Sequence, residues 1–266
     1  EFAMRLEKKF AIVVGGGQQP GGTPGNGRAT AIRFSQEGAV VMIVDINEEW
    51  AADTLTEIEA QGGAGSILAA DITNEADCRR IAETCVERHG RIDVLHNNVG
   101  RSRGDRETPD LEAAMWEEIM DMNLKGMFMT CKHVLPIMRD QGSGAIINIS
   151  STSSLAARQT LTYKTSKGAI NTMTQHLSFE NAPYGIRVNA ILPGLMDTPM
   201  AIERRAQERG VDQSIIRAER DAQVPLGAMG TAWDVANAAV FLASDEAAYI
   251  TGVLLPVDGG LLVKRG

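Results

Sequence analysis

VVGGGQQPGGTPGNGRATA, residues Val13–Ala31, carries seven glycines and two prolines and lies between an apolar run and a segment with helical periodicity. A stretch of this composition is either a flexible linker between domains or a loop that holds a ligand. Its position nine residues after Met4 favours the loop, because a linker needs a domain on each side.

The segments beside the loop show what it would hold. Phe10–Val14 is a short apolar run that predicts a buried strand, and residues 27–38 predict a helix that ends at Gly38. A glycine-rich turn between a first strand and a first helix lets backbone N–H groups approach a pyrophosphate, and the helix N-terminus adds partial positive charge. The loop therefore predicts a phosphate-binding turn.

The same alternation of apolar runs and helical segments continues along the whole chain. The runs are continuous rather than alternating, which is typical of parallel strands buried on both faces. Strands are predicted at 10–14, 39–45, 65–71, 92–98, 144–150, 186–192 and 252–260, and helices at 27–38, 47–63, 74–90, 110–139, 160–181, 196–223 and 231–244. We therefore predict an α/β fold: a doubly wound, Rossmann-type parallel sheet of about seven strands with helices on both faces, in one domain over residues 1–266.

Composition excludes several classes of partner. The formal net charge of −8 argues against nucleic acids and anionic membranes, which attract a basic face, and no apolar run reaches membrane-spanning length. Three cysteines cannot form a disulfide framework, and no cluster of His or Cys has ligand spacing. We expect a small-molecule substrate, no metal and a cytoplasmic location.

Asp45 stands at the end of the second predicted strand. A carboxylate at this position of the fold accepts hydrogen bonds from the ribose hydroxyls of an adenosine and repels a 2′-phosphate. This selects NAD over NADP. The alternative is that Asp45 only caps the following helix.

Four further segments carry a family resemblance: HNNVG (His96–Gly100), MNLKG (Met122–Gly126), NISS (Asn148–Ser151) and YKTSK (Tyr163–Lys167). With the glycine loop and residues 186–200 they resemble the short-chain dehydrogenase/reductase family in its one-domain form. The resemblance runs from Lys9 to Gly260, and six motifs in family order are specific where Tyr-x-x-x-Lys alone is not. It implies an NAD(H)-dependent oxidoreductase that interconverts a secondary alcohol and a ketone, commonly as a homotetramer built from the 110–139 and 160–181 helices and the C-terminal strand.

Tyr163 and Lys167 are four residues apart and so share a helix face. A free phenol has a pKa near 10, too high for a base at neutral pH, and a neighbouring ammonium lowers it. The resemblance implies that Tyr163 is the general acid/base, and that Lys167 lowers its pKa and binds the nicotinamide ribose.

The resemblance also implies a serine that hydrogen-bonds the substrate oxygen and an asparagine that holds a water on a proton path. Counting from the Asn123 motif selects Ser151, whereas counting back from Tyr163 selects Ser150. Ser151 is preferred, because the first count crosses a helix and a strand and the second crosses a loop, where lengths vary. Asn123 is the predicted water-holding residue.

For the cofactor, the glycine loop and the family motifs indicate a further set of residues. Val14 replaces the usual Thr, and nine residues separate Gly15 from Gly25, so the loop carries six inserted residues relative to the family. Which of Gly15, Gly16 and Gly17 takes the first glycine's role stays open. The predicted cofactor residues are Gly15, Gly17, Gly25, Asn26, Gly27, Asp45, Ile46, Asp71, Ile72, Asn97, Val99, Gly100, Tyr163, Lys167, Pro193, Gly194 and Thr198.

The substrate is expected over the carboxyl ends of the strands, under a lid at about residues 195–224. Ser153 is a candidate pocket residue, and Arg101, Arg103 or Arg158 could hold an anionic group on the substrate, although arginines at loop tips are usually only solvated. Two other functions stay open: a 3-oxoacyl-thioester reductase, which Asp45 disfavours because that role normally uses NADPH, and a catalytically silent nucleotide-binding protein.

Overall fold

A computed structural model describes residues 4–18, 21–156 and 160–264. The strands are β1 Phe10–Val14, β2 Val40–Asp45, β3 Gly65–Ala69, β4 Val94–Asn97, β5 Gly144–Ile149, β6 Ile186–Pro193, β7 Met196–Asp197, β8 Gly230–Thr231 and β9 Leu254–Val257. The α-helices are α1 Asn26–Gln36, α2 Glu48–Ala60, α3 Glu75–His89, α4 Ala113–Met120, α5 Gly126–Gln141, α6 Leu161–Asn181, α7 Glu203–Arg209, α8 Gln213–Asp221 and α9 Ala232–Ala243.

Seven of these strands form one parallel sheet in the order β3-β2-β1-β4-β5-β6-β9. The order reverses between β1 and β4, where a doubly wound sheet opens a crevice at the carboxyl ends of its strands. The predicted fold class is therefore confirmed, and the crevice lies where the glycine loop leaves β1.

The continuous apolar runs arise because both faces of the sheet are covered. In β2, Val41 and Ile43 belong to the core beneath α1, α2 and α9, whereas Met42 and Val44 belong to the core beneath α3 and α5. Successive side chains of a strand point to opposite faces, so a strand between two helical layers needs apolar residues at every position.

The structure corrects the predicted helix at 110–139 and the segment at 196–223. The first helix begins at Ala113 and contains a π-helical turn, Asp121–Lys125, between α4 and α5. The second segment, predicted to be helical without a strand, contains β7, which pairs with β8, before α7 and α8. Two-residue strands and single π turns leave no periodicity in the sequence.

Buried groups in this core include the three cysteines and one histidine. Cys78, Cys85 and Cys131 are free thiols, and burial raises the pKa of each to about 12. His96, in β4, is fully buried, and burial lowers its pKa to about 3. Neither of its ring nitrogens has a hydrogen-bond partner within the described residues.

In the described part of the chain, no helix is long and apolar enough to cross a membrane.

His96→Leu should make the fold more resistant to acid. Below pH 6.5 the unfolded chain protonates His96, whereas the folded chain keeps it neutral down to about pH 3, so stability falls over that range. The free energy of unfolding of the variant, relative to the wild type, should rise by about 1.4 kcal/mol per pH unit below the histidine's ordinary pKa. Urea unfolding at several pH values measures it, with the exposed His176→Leu as control; parallel pH profiles for His96→Leu and the wild type would contradict it.

Candidate active site

A cavity of about 1110 Å³ lies along the carboxyl ends of the strands. Asp45, the last residue of β2, and Asp71, just after β3, line one end, and Tyr163 and Lys167, on α6, line the other. This is the crevice that the strand order creates at the reversal between β1 and β4.

Two glycines shape the turn between β1 and α1. Gly15 has φ of +75°, and a Cβ there would lie 2.9 Å from Val99 Cγ2. A Cβ on Gly27 would lie 1.9 Å from the Gly15 carbonyl oxygen, so only glycine lets α1 begin against the loop. The first intrahelical bond runs from the Ala29 N–H to the Gly25 carbonyl at 3.0 Å, so the N–H groups of Asn26, Gly27 and Arg28 have no carbonyl partner within the helix and could donate to an anion.

In the described part of the glycine loop, Gln18 bonds residues farther along the loop, and Gly22 contacts the segment after β6. Gln18 Nε2 donates to the Thr23 carbonyl at 3.0 Å, and Gln18 Oε1 accepts from the Gly25 N–H. The Gly22 N–H donates to Glu203 Oε1, in α7, at 2.9 Å. The loop insertion therefore contacts the predicted lid.

Asp45 is held by backbone donors and does not cap α2. Its Oδ2 accepts from the Gly17 N–H and its Oδ1 from the Asn47 N–H, both at 3.1 Å, whereas Asn47 itself caps the helix through the Trp50 N–H. Burial raises the pKa of Asp45, and these N–H groups oppose the rise. The carboxylate is thus oriented at the cavity wall.

The residues present fit a dinucleotide. The cavity exceeds the ~300–1,000 Å³ usual for small-molecule sites. Asn26 Oδ1, at the start of α1, is buried without a partner among the described residues, as a ligand-binding acceptor would be. The donor set at one end is backbone N–H, which suits phosphate, and Asp45 suits ribose hydroxyls.

The helix that carries Tyr163 and Lys167 is positioned by a carboxylate from another loop. Asp105 Oδ2 accepts from the Tyr163 N–H at 2.9 Å, and its Oδ1 accepts from the Thr162 N–H at 3.2 Å. The cap residue of α6, Thr160, makes no side-chain capping bond. A negative charge at a helix N-terminus is stabilising, so Asp105 caps α6 from outside it.

The two candidate serines have different surroundings. Both line the cavity, and the Ser151 hydroxyl accepts from the Ser153 N–H at 3.2 Å and acts on Tyr163 by lowering the pKa of the phenol. Ser150 is buried and its hydroxyl donates to the Lys167 carbonyl at 3.0 Å. The geometry favours Ser151 as the residue beside the phenol, because the Ser150 hydroxyl is already engaged.

Burial shifts both pKa values of the Tyr163–Lys167 pair. Burial raises the pKa of Tyr163, and the hydrogen bond from Ser151 and the charge of Arg204, rather than Lys167, oppose the rise. Burial also lowers the pKa of Lys167 to about 7. Its Nζ donates to the Ile149 carbonyl at 2.7 Å and lies 5.6 Å from the centre of the tyrosine ring. Lys167 is not among the groups that lower the Tyr163 pKa here, and the predicted lowering by Lys167 stays a prediction.

Asn123 lies in the π-helical turn and is fully buried. Its Nδ2 donates to the Arg101 carbonyl at 2.9 Å and to Ser166 Oγ at 3.1 Å, while its Oδ1 accepts from the Arg101 N–H at 2.7 Å. The side chain thus ties the loop after β4 to α6. Its predicted water-holding role stays a prediction, and both of its amide hydrogens are already used within the protein.

Most of the predicted cofactor residues line the cavity: Gly15, Gly25, Asn26, Asp45, Ile46, Asp71, Ile72, Val99, Gly100, Tyr163, Lys167, Pro193, Gly194 and Thr198. Gly17, Gly27 and Asn97 are not among the residues that line the cavity. Asn97 was predicted among the cofactor residues, but its side chain is engaged within the protein: its Nδ2 donates to Asn148 Oδ1 at 3.0 Å and its Oδ1 accepts from Thr130 Oγ1 at 2.8 Å. The neighbouring Asn98, which lines the cavity and bonds the Gly15 carbonyl, escaped the sequence analysis.

The predicted substrate residues differ in their position and in their partners. Ser153 lines the cavity, and its hydroxyl is buried without a partner among the described residues. Arg101 and Arg103 also line it, but Arg101 is paired with Glu118. Arg158 lies outside the described residues. Sequence reasoning missed Arg204, whose guanidinium no motif marks. In the described ranges, no cluster of His, Cys, Asp or Glu is placed to hold a metal.

The chain is similar over nearly its whole length to known proteins. A family model described as enoyl-(acyl carrier protein) reductase matches residues 22–262. LinX of Sphingobium indicum, a 2,5-dichloro-2,5-cyclohexadiene-1,4-diol dehydrogenase, is 36% identical over 261 residues, covering 97% of this chain and 98% of that protein. The 3-oxoacyl-(acyl-carrier-protein) reductase FabG of Thermotoga maritima is 34% identical over 261 residues, covering 98% and 100%.

Solved structures agree. A short-chain dehydrogenase/reductase from Burkholderia xenovorans has a TM-score of 0.93 at 39% identity and covers 99% of this chain and 100% of its own. Carveol dehydrogenase from Mycobacterium avium in complex with NAD has a TM-score of 0.89 at 28% identity, covering 98% and 99%. The chain therefore belongs to the short-chain dehydrogenase/reductase family. It is an oxidoreductase of that family, and the cofactor class indicated is a nicotinamide dinucleotide.

Proposed function

We propose that the protein is an NAD(H)-dependent oxidoreductase that interconverts a secondary alcohol and a ketone. The observation that carries the proposal is the half-buried phenol of Tyr163, which lines the same cavity as Ser151, Lys167 and Asp45. Such a phenol can exchange a proton with the oxygen of a bound substrate. Bound NAD(H) would supply the hydride acceptor or donor.

Each side chain then has a stated role. Tyr163 gives a proton to the substrate oxygen during reduction and takes it during oxidation, and the Ser151 hydroxyl holds that oxygen. Lys167 binds the nicotinamide ribose, and Asn123 and Asp105 position the loop after β4 and the start of α6. Because burial raises the pKa of Tyr163, the phenol is protonated near neutral pH, which is the form that ketone reduction needs.

We propose that residues 195–224 form the lid of a single domain. Leu195, Thr198 and Met200 line the cavity with the first turn of α7, so the segment covers the substrate end. The bond from the Gly22 N–H to Glu203 supports a lid that is anchored to the glycine loop.

For the substrate we propose a cyclic or aromatic small molecule in a cytoplasmic enzyme. The names of LinX and of carveol dehydrogenase indicate ring-containing alcohols for those proteins. The similarity to a 3-oxoacyl-thioester reductase keeps that reaction as a second candidate, and Asp45 disfavours it through the cofactor. A silent nucleotide-binding protein is disfavoured, because Tyr163, Lys167 and Ser151 are all present.

Tyr163→Phe should remove catalysis and keep the fold. Loss of a general acid/base lowers kcat by about 10²–10⁴-fold. Reduction of a panel of cyclic ketones with NADH, followed by NADH absorbance, measures it, and circular dichroism checks folding. Tyr249→Phe, on the surface, is the matched control. Turnover by Tyr163→Phe at the wild-type rate would remove the proposed chemistry.

Asp45 should set the choice of NADH over NADPH. A carboxylate facing a 2′-phosphate repels it, so kcat/KM should favour NADH by about a hundredfold or more. Asp45→Ser should lose most of that preference, chiefly through the KM for NADPH. Asp53→Ser, exposed on α2, is the control. A wild-type enzyme that uses both cofactors equally would sink the assignment.

We also propose a homotetramer built through α4–α5, α6 and the C-terminal strand. Phe128 on α5, Phe179 on α6 and Tyr184 just after α6 are large exposed side chains, and Phe179 is 83% exposed in the single chain. Light scattering should give four times the mass of one chain, and Phe179→Glu should lower that mass. A monomeric wild type would contradict the proposal.

A further inference from the structure

Neither the family motifs nor the proposed chemistry assigns a role to Arg204. It is the second residue of α7, and it lines the main cavity together with Ser151 and Tyr163. It also lines an adjoining hollow of about 360 Å³, whose other walls come from the loop after β4 and from Glu208. Arg204 thus joins the reacting end of the cavity to a second space.

The guanidinium of Arg204 is weakly satisfied. Its Nε is buried and has no hydrogen-bond acceptor in the part of the chain that the structure describes. Its ion pair with Glu208 has an Nε–Oε1 distance of 3.6 Å, and the Glu208 side chain is 55% exposed. A pair of this length and exposure contributes little, so the arginine keeps most of its capacity to bind another anion.

Three other arginines of this region form short ion pairs with protein carboxylates. Arg101 pairs with Glu118, and Arg217 pairs with Asp197 at 2.8 Å. Farther along α7, Arg209 pairs with Glu219. Arg204 lines the cavity, and its ion pair in the described part of the chain is longer than those of these three arginines.

We propose that Arg204 binds an anionic group, a carboxylate or a sulfonate, on the substrate whose carbonyl or alcohol carbon reacts beside Tyr163. The proposal rests on the proposed function and names its substrate class. The planar guanidinium offers paired N–H donors to two oxygens of such a group, which lysine cannot match.

Two further observations support this orientation of the substrate. Arg204 and Tyr163 line the same cavity, so both groups can contact one small molecule. The buried hydroxyl of Ser153, unpartnered among the described residues, lies on the same cavity wall as a second polar contact. The substrate would then bridge Arg204 and Tyr163.

The test uses ketones in matched pairs that differ only in charge. They are 4-acetylbenzoate with 4-acetylbenzamide, and 4-acetylbenzenesulfonate with 4-acetylbenzenesulfonamide. Calorimetric binding to the NAD-loaded protein and reduction by NADH at neutral pH are measured for the wild type, Arg204→Gln and Arg209→Gln. The Arg209 variant removes the same charge from the same helix outside the cavity.

The wild type should bind at least one acid more tightly than its amide. Arg204→Gln should weaken the binding of that acid by about ten- to a hundredfold, as expected for the loss of a charge-assisted hydrogen bond. It should change the binding of the amide by less than about twofold. In turnover the loss should appear in KM. Arg209→Gln should change neither compound. The pair that shows the effect identifies a carboxylate or a sulfonate as the preferred group.

Three results would overturn the inference: no preference for either acid in the wild type, equal losses for acid and amide in Arg204→Gln, or the same loss in Arg209→Gln. Equal losses would mean that Arg204 acts only through Tyr163 or the fold. Acid binding that depends on Arg204 without any reduction by NADH would support the anion site and remove the proposed reaction instead.

Discussion

The buried ammonium of Lys167 is the constraint on which the rest of the site depends. It is 1% exposed and donates to the Ile149 carbonyl at 2.7 Å. Burial lowers its pKa from 10.5 to about 7, so the fold loses stability as the pH falls from 10.5 through that range, because the unfolded chain gains a proton there. An ionisable side chain whose burial lowers the stability of the fold at neutral pH is typical of a functional site.

Keeping Lys167 and Tyr163 in place requires that α6 be held from several sides. Asp105 accepts from the first N–H groups of the helix, and Asn123 reaches it through Ser166. Deeper in the core, Asn148 Nδ2 donates to Thr174 Oγ1 at 3.0 Å. The contacts of Asn123 and Asn148 are buried and that of Asp105 is half-buried, and a buried polar group is costly when it loses its partner. They therefore fix one orientation of α6, as a proton-transfer site requires.

The fold and the outline of the site could be predicted because they leave periodic or local traces in the sequence. Continuous apolar runs marked the strands, and Tyr163 and Lys167 follow from their helical spacing. Asp105 could not be predicted as the cap of α6, because it is distant from Tyr163 in sequence and meets it only through the fold. The effect of burial on the pKa of Tyr163 could not be predicted for a related reason: spacing reveals a neighbouring charge, whereas burial depends on the whole tertiary structure.

The inserted residues of the glycine loop and the substrate end of the cavity meet at one backbone contact. Glu203 accepts from the Gly22 N–H, and Arg204 is the next residue in α7. The same loop is closed by Gln18, which bonds the Thr23 carbonyl and the Gly25 N–H beside the start of α1. The hydrogen bond between Gly22 and Glu203 therefore connects the glycine loop to the first turn of α7, at the residue before Arg204. A movement of that turn away from the loop would break this bond, so the loop helps to hold the position of Arg204 at the cavity.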